Sequence, residues 1–334
     1  MAGISLILQN NPTVRQINCG TSSPKLGGTI SLSAFPDLQD FRCNNNDITA
    51  INGYEQNSNL GNIQFFNNKV TGSLPSLSGM SALYWFSCAT NQLTGSIPSL
   101  SALTNLETFI CNSNQLTGSI PSFSGLNSLK MFECYSNALQ GTIPSLSGLS
   151  NLEAFRCHSN QLTGSIPSLS GLSNLQNFQC QNQGGDTKLT GPIPSLSGLS
   201  NLQIFNCGKN QLTGSIPSLS GLNNLEFFGC WSNQLTGPIP SLSGLSNLET
   251  FACYSNQLTN FAGGSVSNTL INFQAQNNQL PQSAVDAILA EFVAAGGISG
   301  TLLLAGSNAS PNGGTGNSDK IILEGRGWDV AVTP

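Results

Sequence analysis

Apolar positions recur along this chain at one long interval. From Leu152 to Asn174 the sequence reads Leu-Glu-Ala-Phe-Arg-Cys-His-Ser-Asn-Gln-Leu-Thr-Gly-Ser-Ile-Pro-Ser-Leu-Ser-Gly-Leu-Ser-Asn. Its core, Leu-x-x-Phe-x-Cys-x-x-Asn-x-Leu, returns at Cys88, Cys111, Cys134, Cys157, Cys180, Cys207, Cys230 and Cys253, in steps of 23 residues apart from the 27 between Cys180 and Cys207. Weaker copies hold Cys19 and Cys43 upstream, Phe65 in the cysteine slot between Cys43 and Cys88, and Ala275 after Cys253. A period in the twenties predicts a solenoid, each unit burying its apolar side against its neighbours. Phe155 and Cys157 are two apart and share one face of a strand, while positions 154, 156 and 158 share the other. Stacked copies therefore predict a parallel sheet whose inner face is a column of Phe and a column of Cys. Asn160, just past the strand, is placed to bond backbone groups of adjacent coils. Gly164 permits a positive φ at the turn, and Pro167 stiffens the outer segment. The short unit leaves no room for a long helix on the outer side, so short strands and 3₁₀ turns are expected there. At about 4.8 Å per strand, twelve rungs extend roughly 55 Å.

This pattern resembles the leucine-rich repeat, Leu-x-x-Leu-x-Leu-x-x-Asn/Cys-x-Leu. Phe155 stands in the second Leu slot, Cys157 in the third and Asn160 in the ladder-Asn slot. The following Leu-Thr-Gly-Ser-Ile-Pro, residues 162–167, is similar to the Leu-x-Gly-x-Ile-Pro half of the plant-type subclass, a half that also occurs in bacterial and phage proteins. The resemblance covers about residues 14–282 and implies a β-rich, curved right-handed coil with a parallel sheet on its concave face. It carries little about function, because repeat folds host many unrelated partners.

Residues 1–16 are expected to form an N-terminal cap, 17–282 the solenoid, with a four-residue insertion near 183–187, and 283–334 a small α/β C-terminal cap. At the front, Ile4–Leu8 reads as a covering strand, with Val14, Ile17 and Cys19 in the inward slots of the first rung. At the back, Ser283-Ala-Val-Asp286 reads as a variant capping box opening a helix, with Val285, Ile288, Leu289, Phe292 and Val293 on one side. Gly296-Gly297 ends it. A strand over 301–305, a short helix over 318–324 and a closing strand over 328–332 follow. This tail resembles the ends of bacterial and phage repeat proteins that finish in a Lys/Arg-Gly-Trp strand, and Trp328 is read as a packing anchor. The insertion carries two glycines and reads equally as a mobile lip or as a tolerated addition.

Charged residues make up 7% of the chain and net charge is −5, against a usual charged share of about 25%. The ten Lys and Arg are scattered, so nothing would neutralise a run of phosphates, and nucleic-acid binding is not expected. No apolar stretch approaches a membrane span. The start, Met1 to Gln9, lacks a positive n-region and has too short an apolar core for a secretory signal. Either a signal has been removed or the protein leaves its cell another way, as phage structural proteins do through lysis. The polar, charge-poor surface suits a virion-exposed or extracellular fibre.

Ten cysteines invite metal and disulfide readings. Metal sites need clustered ligands such as Cys-x-x-Cys, and these cysteines lie at least 23 positions apart without acids or His on the inner face; no cofactor is expected. In-register cysteines would fall inside the Cα window for a disulfide, but eight equivalent rungs offer no natural pairing. Buried thiols acting as small hydrophobes are the favoured reading.

The near-identical copies act as internal controls. Variation gathers at the three outward positions of each strand, which carry Trp85, Met131, Glu133, Tyr135, Arg156, the chain's one histidine His158, Phe227, Trp231 and Tyr254. Solvent-facing strand positions also drift, and aromatics favour strands. The clustering at the rungs of Cys134 and Cys157, and again of Cys230 and Cys253, points instead to a recognition surface. Aromatic and amide groups together suit glycans, by stacking and hydrogen bonding, or a protein ligand. Catalysis finds no support: His158 has no acid beside it on its strand, and an ion pair of Arg156 with Glu133 is expected. The expectation is a non-catalytic recognition or adhesion module binding a host-surface glycan or protein, most readily a phage tail-fibre or other virion surface component meeting further virion proteins. A bacterial surface adhesin, a purely structural virion decoration protein, and an ice-binding protein using the regular outer Ser-Ile-Pro-Ser-Leu-Ser array stand as alternatives.

Overall fold

The computed structural model describes residues 13–20, 23–185 and 188–334. The expected strand at Ile4–Leu8, and Asp186 and Thr187 of the insertion, lie outside the described residues. Contacts divide the chain into two units, Met1–Leu162 and Thr163–Pro334.

In the first unit seven three-residue strands run parallel: Gln16–Asn18, Asp40–Arg42, Asn62–Gln64, Trp85–Ser87, Thr108–Ile110, Met131–Glu133 and Ala154–Arg156. Register is one repeat without slippage, so Phe132 lies opposite both Phe109 and Phe155. Because side chains alternate across a strand, this register turns the repeated Phe into a buried stack. Phe86, Phe109, Phe132 and Phe155 follow one another at centroid spacings of 5.2, 5.7 and 5.7 Å, their planes nearly parallel. Each ring removed from water contributes on the order of 2–3 kcal/mol. The outer side consists of short paired strands, Gly27–Ser31 with Asp47–Asn52 and Thr71–Ser73 with Gln92–Thr94, and one 3₁₀ turn, Tyr54–Gln56.

The second unit repeats the plan. Its sheet holds Asn177–Gln179, Ile204–Asn206, Phe227–Gly229, Thr250–Ala252 and Asn272–Gln274, then Gly300–Leu303 and Trp328–Ala331 of the C-terminal cap. Phe178, Phe205, Phe228, Phe251 and Phe273 stack at 5.3–5.6 Å. The cap closes this column with crossed rings: Phe292 meets Phe273 edge-on at 5.4 Å, and Trp328 meets Phe292 at 5.2 Å. The Trp328 indole N–H donates to the Gly297 carbonyl at 3.1 Å, which makes it the packing anchor expected from the sequence.

Two features hold the coils together. Asn160 donates from its amide to the carbonyls of Cys134 and Cys157, both at 3.0 Å, and accepts from the Leu139 N–H at 3.0 Å. The same three-way bond recurs at Asn91, Asn114 and Asn137, and in the second unit at Asn210, Asn233 and Asn256. Backbone groups that the corner would strand in the interior are thereby satisfied. The second feature was hidden in the sequence. The residue two past each cysteine from Cys43 to Cys253 adopts φ between 51° and 58°, including Thr90 and Lys209, which are not residues that favour this region.

One expectation fails at the cap. The helix Gln282–Ala295 starts after Pro281 with no side-chain cap, so the capping box does not form. Asp286 is occupied elsewhere: its carboxylate accepts the Asn312 N–H at 3.0 Å and ties down the following loop. The helix does end at Gly296, in the left-handed region at φ 74°. The second cap helix spans Thr315–Gly325.

The cysteine sulfurs are unbridged, and all except Cys19 are buried. Burial pushes the thiols of Cys88, Cys111, Cys134, Cys207 and Cys230 well up, which keeps them protonated and inert. Cys19, half-buried, moves down because it takes a hydrogen bond from the Cys43 thiol. Alkylation of the native protein near neutral pH, read by mass spectrometry, is expected to label Cys19 alone and to reach the other nine only after denaturation. Labelling of several thiols in the native state would refute a packed column.

Candidate binding face

The outward positions of the strands form one open face on each unit's sheet. In the first unit, Glu133 and Arg156 are register partners on adjacent strands and pair at 2.7 Å. The expected ion pair is present, but it is not an exposed one. The Glu133 side chain is 9% exposed and that of Arg156 32%. Burial raises the Glu133 carboxyl above the usual range, and the neighbouring guanidinium only partly offsets this. Next to them Tyr135 and His158 stack at 4.5 Å with an interplanar angle of 12°. The Tyr135 hydroxyl is engaged by Asn112, and His158 Nδ1 lies 3.2 Å from the Ser159 hydroxyl. Burial, then the Arg156 charge, lowers the His158 pKa, so the imidazole is neutral near pH 7. Met131 is half-buried and pairs in register with Ala154. Trp85 is half-buried, and its buried indole N–H meets no acceptor.

In the second unit Phe227, Trp231 and Tyr254 form one cluster. Trp231 stacks on Tyr254 at 5.9 Å and 12°, and meets Phe227 edge-on at 6.3 Å. The indole occupies volume that side chains at 208 and 229 would otherwise fill. A Cβ on Gly208 would come within 2.5 Å of the ring, and one on Gly229 would also strike it. These two glycines, part of the variable set but unremarkable by type, are what seat the tryptophan.

Two parts of the sequence reading change. The outward positions are not independent solvated side chains: Thr108, Asn112, Ala154 and Glu133 in one unit, and Asn177, Asn206 and Ala252 in the other, are buried. Many satisfy one another along a single strand, as Gln64 does with Asn62, Gln179 with Asn177 and Gln274 with Asn272. That pairing of residues two apart was readable from the alternation. The Tyr135–His158 pair, moreover, stacks ring on ring, so it offers edges rather than a shared flat surface for a sugar to cover. Missed altogether were Gln181 and Gln276, each with a buried side-chain oxygen that has no partner. Among the described residues no group of three His, Cys, Asp or Glu is placed to hold a metal ion, and no helix is long and apolar enough to cross a membrane. The one acid near His158, Glu133, is engaged by Arg156.

No family model and no curated protein matches the sequence. Solved structures do match. The Arabidopsis receptor kinase HAESA, in complex with the peptide hormone IDA and the co-receptor SERK1, aligns over 90% of this chain and 63% of its own, at TM-score 0.66 and 21% identity. A TDR receptor aligns over 92% and 62%, at 0.64 and 22%. InlJ of Listeria monocytogenes, whose functional domain includes a cysteine ladder, aligns over 91% and 65%, at 0.64 and 18%. The chain thus spans about three fifths of the receptor chains it matches. These likenesses establish the fold alone. Together with the 23-residue period, the Phe and Cys columns and the bonded asparagines, they give the chain the leucine-rich-repeat fold, a β-solenoid with a small α/β cap.

Proposed function

We propose that this protein is a non-catalytic recognition module that binds a cell-surface glycan or protein through the open face of its sheet. One observation carries the reading. Among the described residues four buried side-chain polar atoms lack a hydrogen-bond partner: Trp85 Nε1, Arg156 Nε, Gln181 Oε1 and Gln276 Oε1. All four belong to outward strand positions, where buried polar groups are otherwise paired. A surface that keeps such groups unsatisfied is prepared for a partner that supplies the missing donors and acceptors. The clusters around Arg156 and Trp231 add the charged and aromatic anchors that dominate binding energy elsewhere. The proposed setting is extracellular or on a virion, as a tail-fibre or other host-recognition component; a surface with 7% charged residues suits either.

Binding of the labelled protein to a panel of bacterial cells, surface glycans and surface proteins tests this, with a Trp231→Ala/Tyr254→Ala variant alongside. The parent is expected to bind at least one member, and the variant to bind it at least about tenfold more weakly, the scale of losing one or two hot-spot residues. Equal binding by the two would remove the Trp231 cluster from the interface, and no binding by the parent would count against recognition altogether.

A further inference from the structure

On the open face, a polar residue often pairs with the residue two positions earlier in its own strand. Arg42 is the charged case: its Nε and Nη2 donate to the two Asp40 carboxylate oxygens at 2.9 and 2.8 Å. Arg156 holds the same position in its strand as Arg42, since each lies one residue before a ladder cysteine. The seat two positions earlier, however, is Ala154 rather than an acid. Arg156 reaches sideways with Nη1 to Glu133 at 2.7 Å, while its Nε is buried and unpartnered. Of the five N–H donors in a guanidinium, those on the edge that Asp40 fills for Arg42 have no acid beside them here. The side chain across from Ala154 is Met131, unbranched and able to move aside.

From this comparison we propose that the Nε–Nη2 edge of Arg156 receives a carboxylate from the ligand, and that the ligand is an acidic saccharide chain lying along the rungs. The inference rests on the reading of the open face as the binding face. Glu133 holds the guanidinium in place from the other side. Tyr135 and His158 lie near enough to Arg156 to be acted on by its charge, and polar rings beside the guanidinium suit a hydroxylated ligand. The rungs repeat about every 4.8 Å, close to the length of one pyranose unit, whereas an extended peptide rises about 3.3 Å per residue and falls out of step.

The decisive variant is Ala154→Asp, which rebuilds the Asp40–Arg42 arrangement and fills the seat from within. The full chain would be titrated calorimetrically with a set of uronate tetrasaccharides and their carboxyl-reduced, neutral counterparts. At least one uronate is expected to bind. Its reduced form, the Ala154→Asp variant and an Arg156→Gln variant should each weaken that binding by at least about tenfold, the scale of a lost charge-assisted bidentate pair. Arg42→Gln should leave it unchanged. Thermal unfolding of Ala154→Asp at or above the parent's temperature shows that the loss is not misfolding. No uronate binding, or undiminished binding by both Ala154→Asp and Arg156→Gln, overturns the proposal; displacement of bound uronate by an aspartate-rich peptide at lower concentration than by uronate itself would overturn the saccharide assignment. Should Ala154→Asp bind the cell and glycan panel like the parent while Trp231→Ala/Tyr254→Ala does not, the carboxylate seat falls and the open face stands.

Discussion

Replacing Asn160 by alanine is expected to destabilise the first unit by about 1–3 kcal/mol, measured by urea unfolding. The figure follows from what the side chain leaves behind. Its removal strands the Leu139 N–H and withdraws one amide donor each from the Cys157 carbonyl and from the Cys134 carbonyl, which keeps the Asn137 amide at 3.1 Å, at a corner where Asn160 itself is 2% exposed. Each buried backbone group without a partner costs about 1–3 kcal/mol, and water cannot replace an amide at a dry corner without opening it. Asn160→Asp separates the roles. It keeps an acceptor for Leu139 but turns a second oxygen toward two carbonyls, so it should be no better tolerated than alanine. In a repeat array stability is a sum of units and their interfaces, so the loss should also divide one cooperative transition into two or lower its steepness. A loss below about 1 kcal/mol would mean that the asparagines are decorative.

Much of this molecule was legible because buried positions repeat their identity. The Phe and Cys columns, the asparagine bonds and the short outer strands all follow from spacing, since a side chain with an identical neighbour above and below has one possible environment. Positions whose surroundings differ from rung to rung were not legible in the same way. The Glu133–Arg156 pair was expected from the register, but Glu133 reads as an exposed acid until its burial is known. Trp231 reads as an exposed aromatic until Gly208 and Gly229 are seen to make room for it. Lys209 and Thr90 gave no sign of their positive φ, because the coil geometry imposes it on whichever residue stands there. Asp286 matched a local capping pattern, but a tertiary partner, Asn312, claimed it. The candidate site was therefore found by its variability, while its chemistry came only from which neighbours each variable residue meets.

Phe132→Ala should exceed the loss of Asn160, at about 3–5 kcal/mol by the same measurement, the usual range for truncating a buried phenylalanine. Phe132 is fully buried between Phe109 and Phe155, each 5.7 Å away and nearly parallel, and a third ring, Phe123, meets it edge-on at 4.8 Å. Phe123 stands where the flanking repeats carry Leu100 and Leu146, so this rung holds more aromatic packing than its neighbours. Phe132→Leu, which keeps most of the volume, should cost less than about 1.5 kcal/mol. The pair should also be coupled: truncating Phe123 and Phe132 together is expected to cost about 0.5–1.5 kcal/mol less than the sum of the single losses. The functional consequence lies on the opposite face of the same strand. Met131 and Glu133 flank Phe132 in sequence, and the Glu133–Arg156 pair depends on where that strand sits. If the open face is held rigid by the column beneath it, Phe132→Ala weakens binding as well as stability, whereas Phe132→Leu leaves binding intact. A variant that lost the stability but kept full affinity would show instead that the recognition surface is held by its own side-chain pairings.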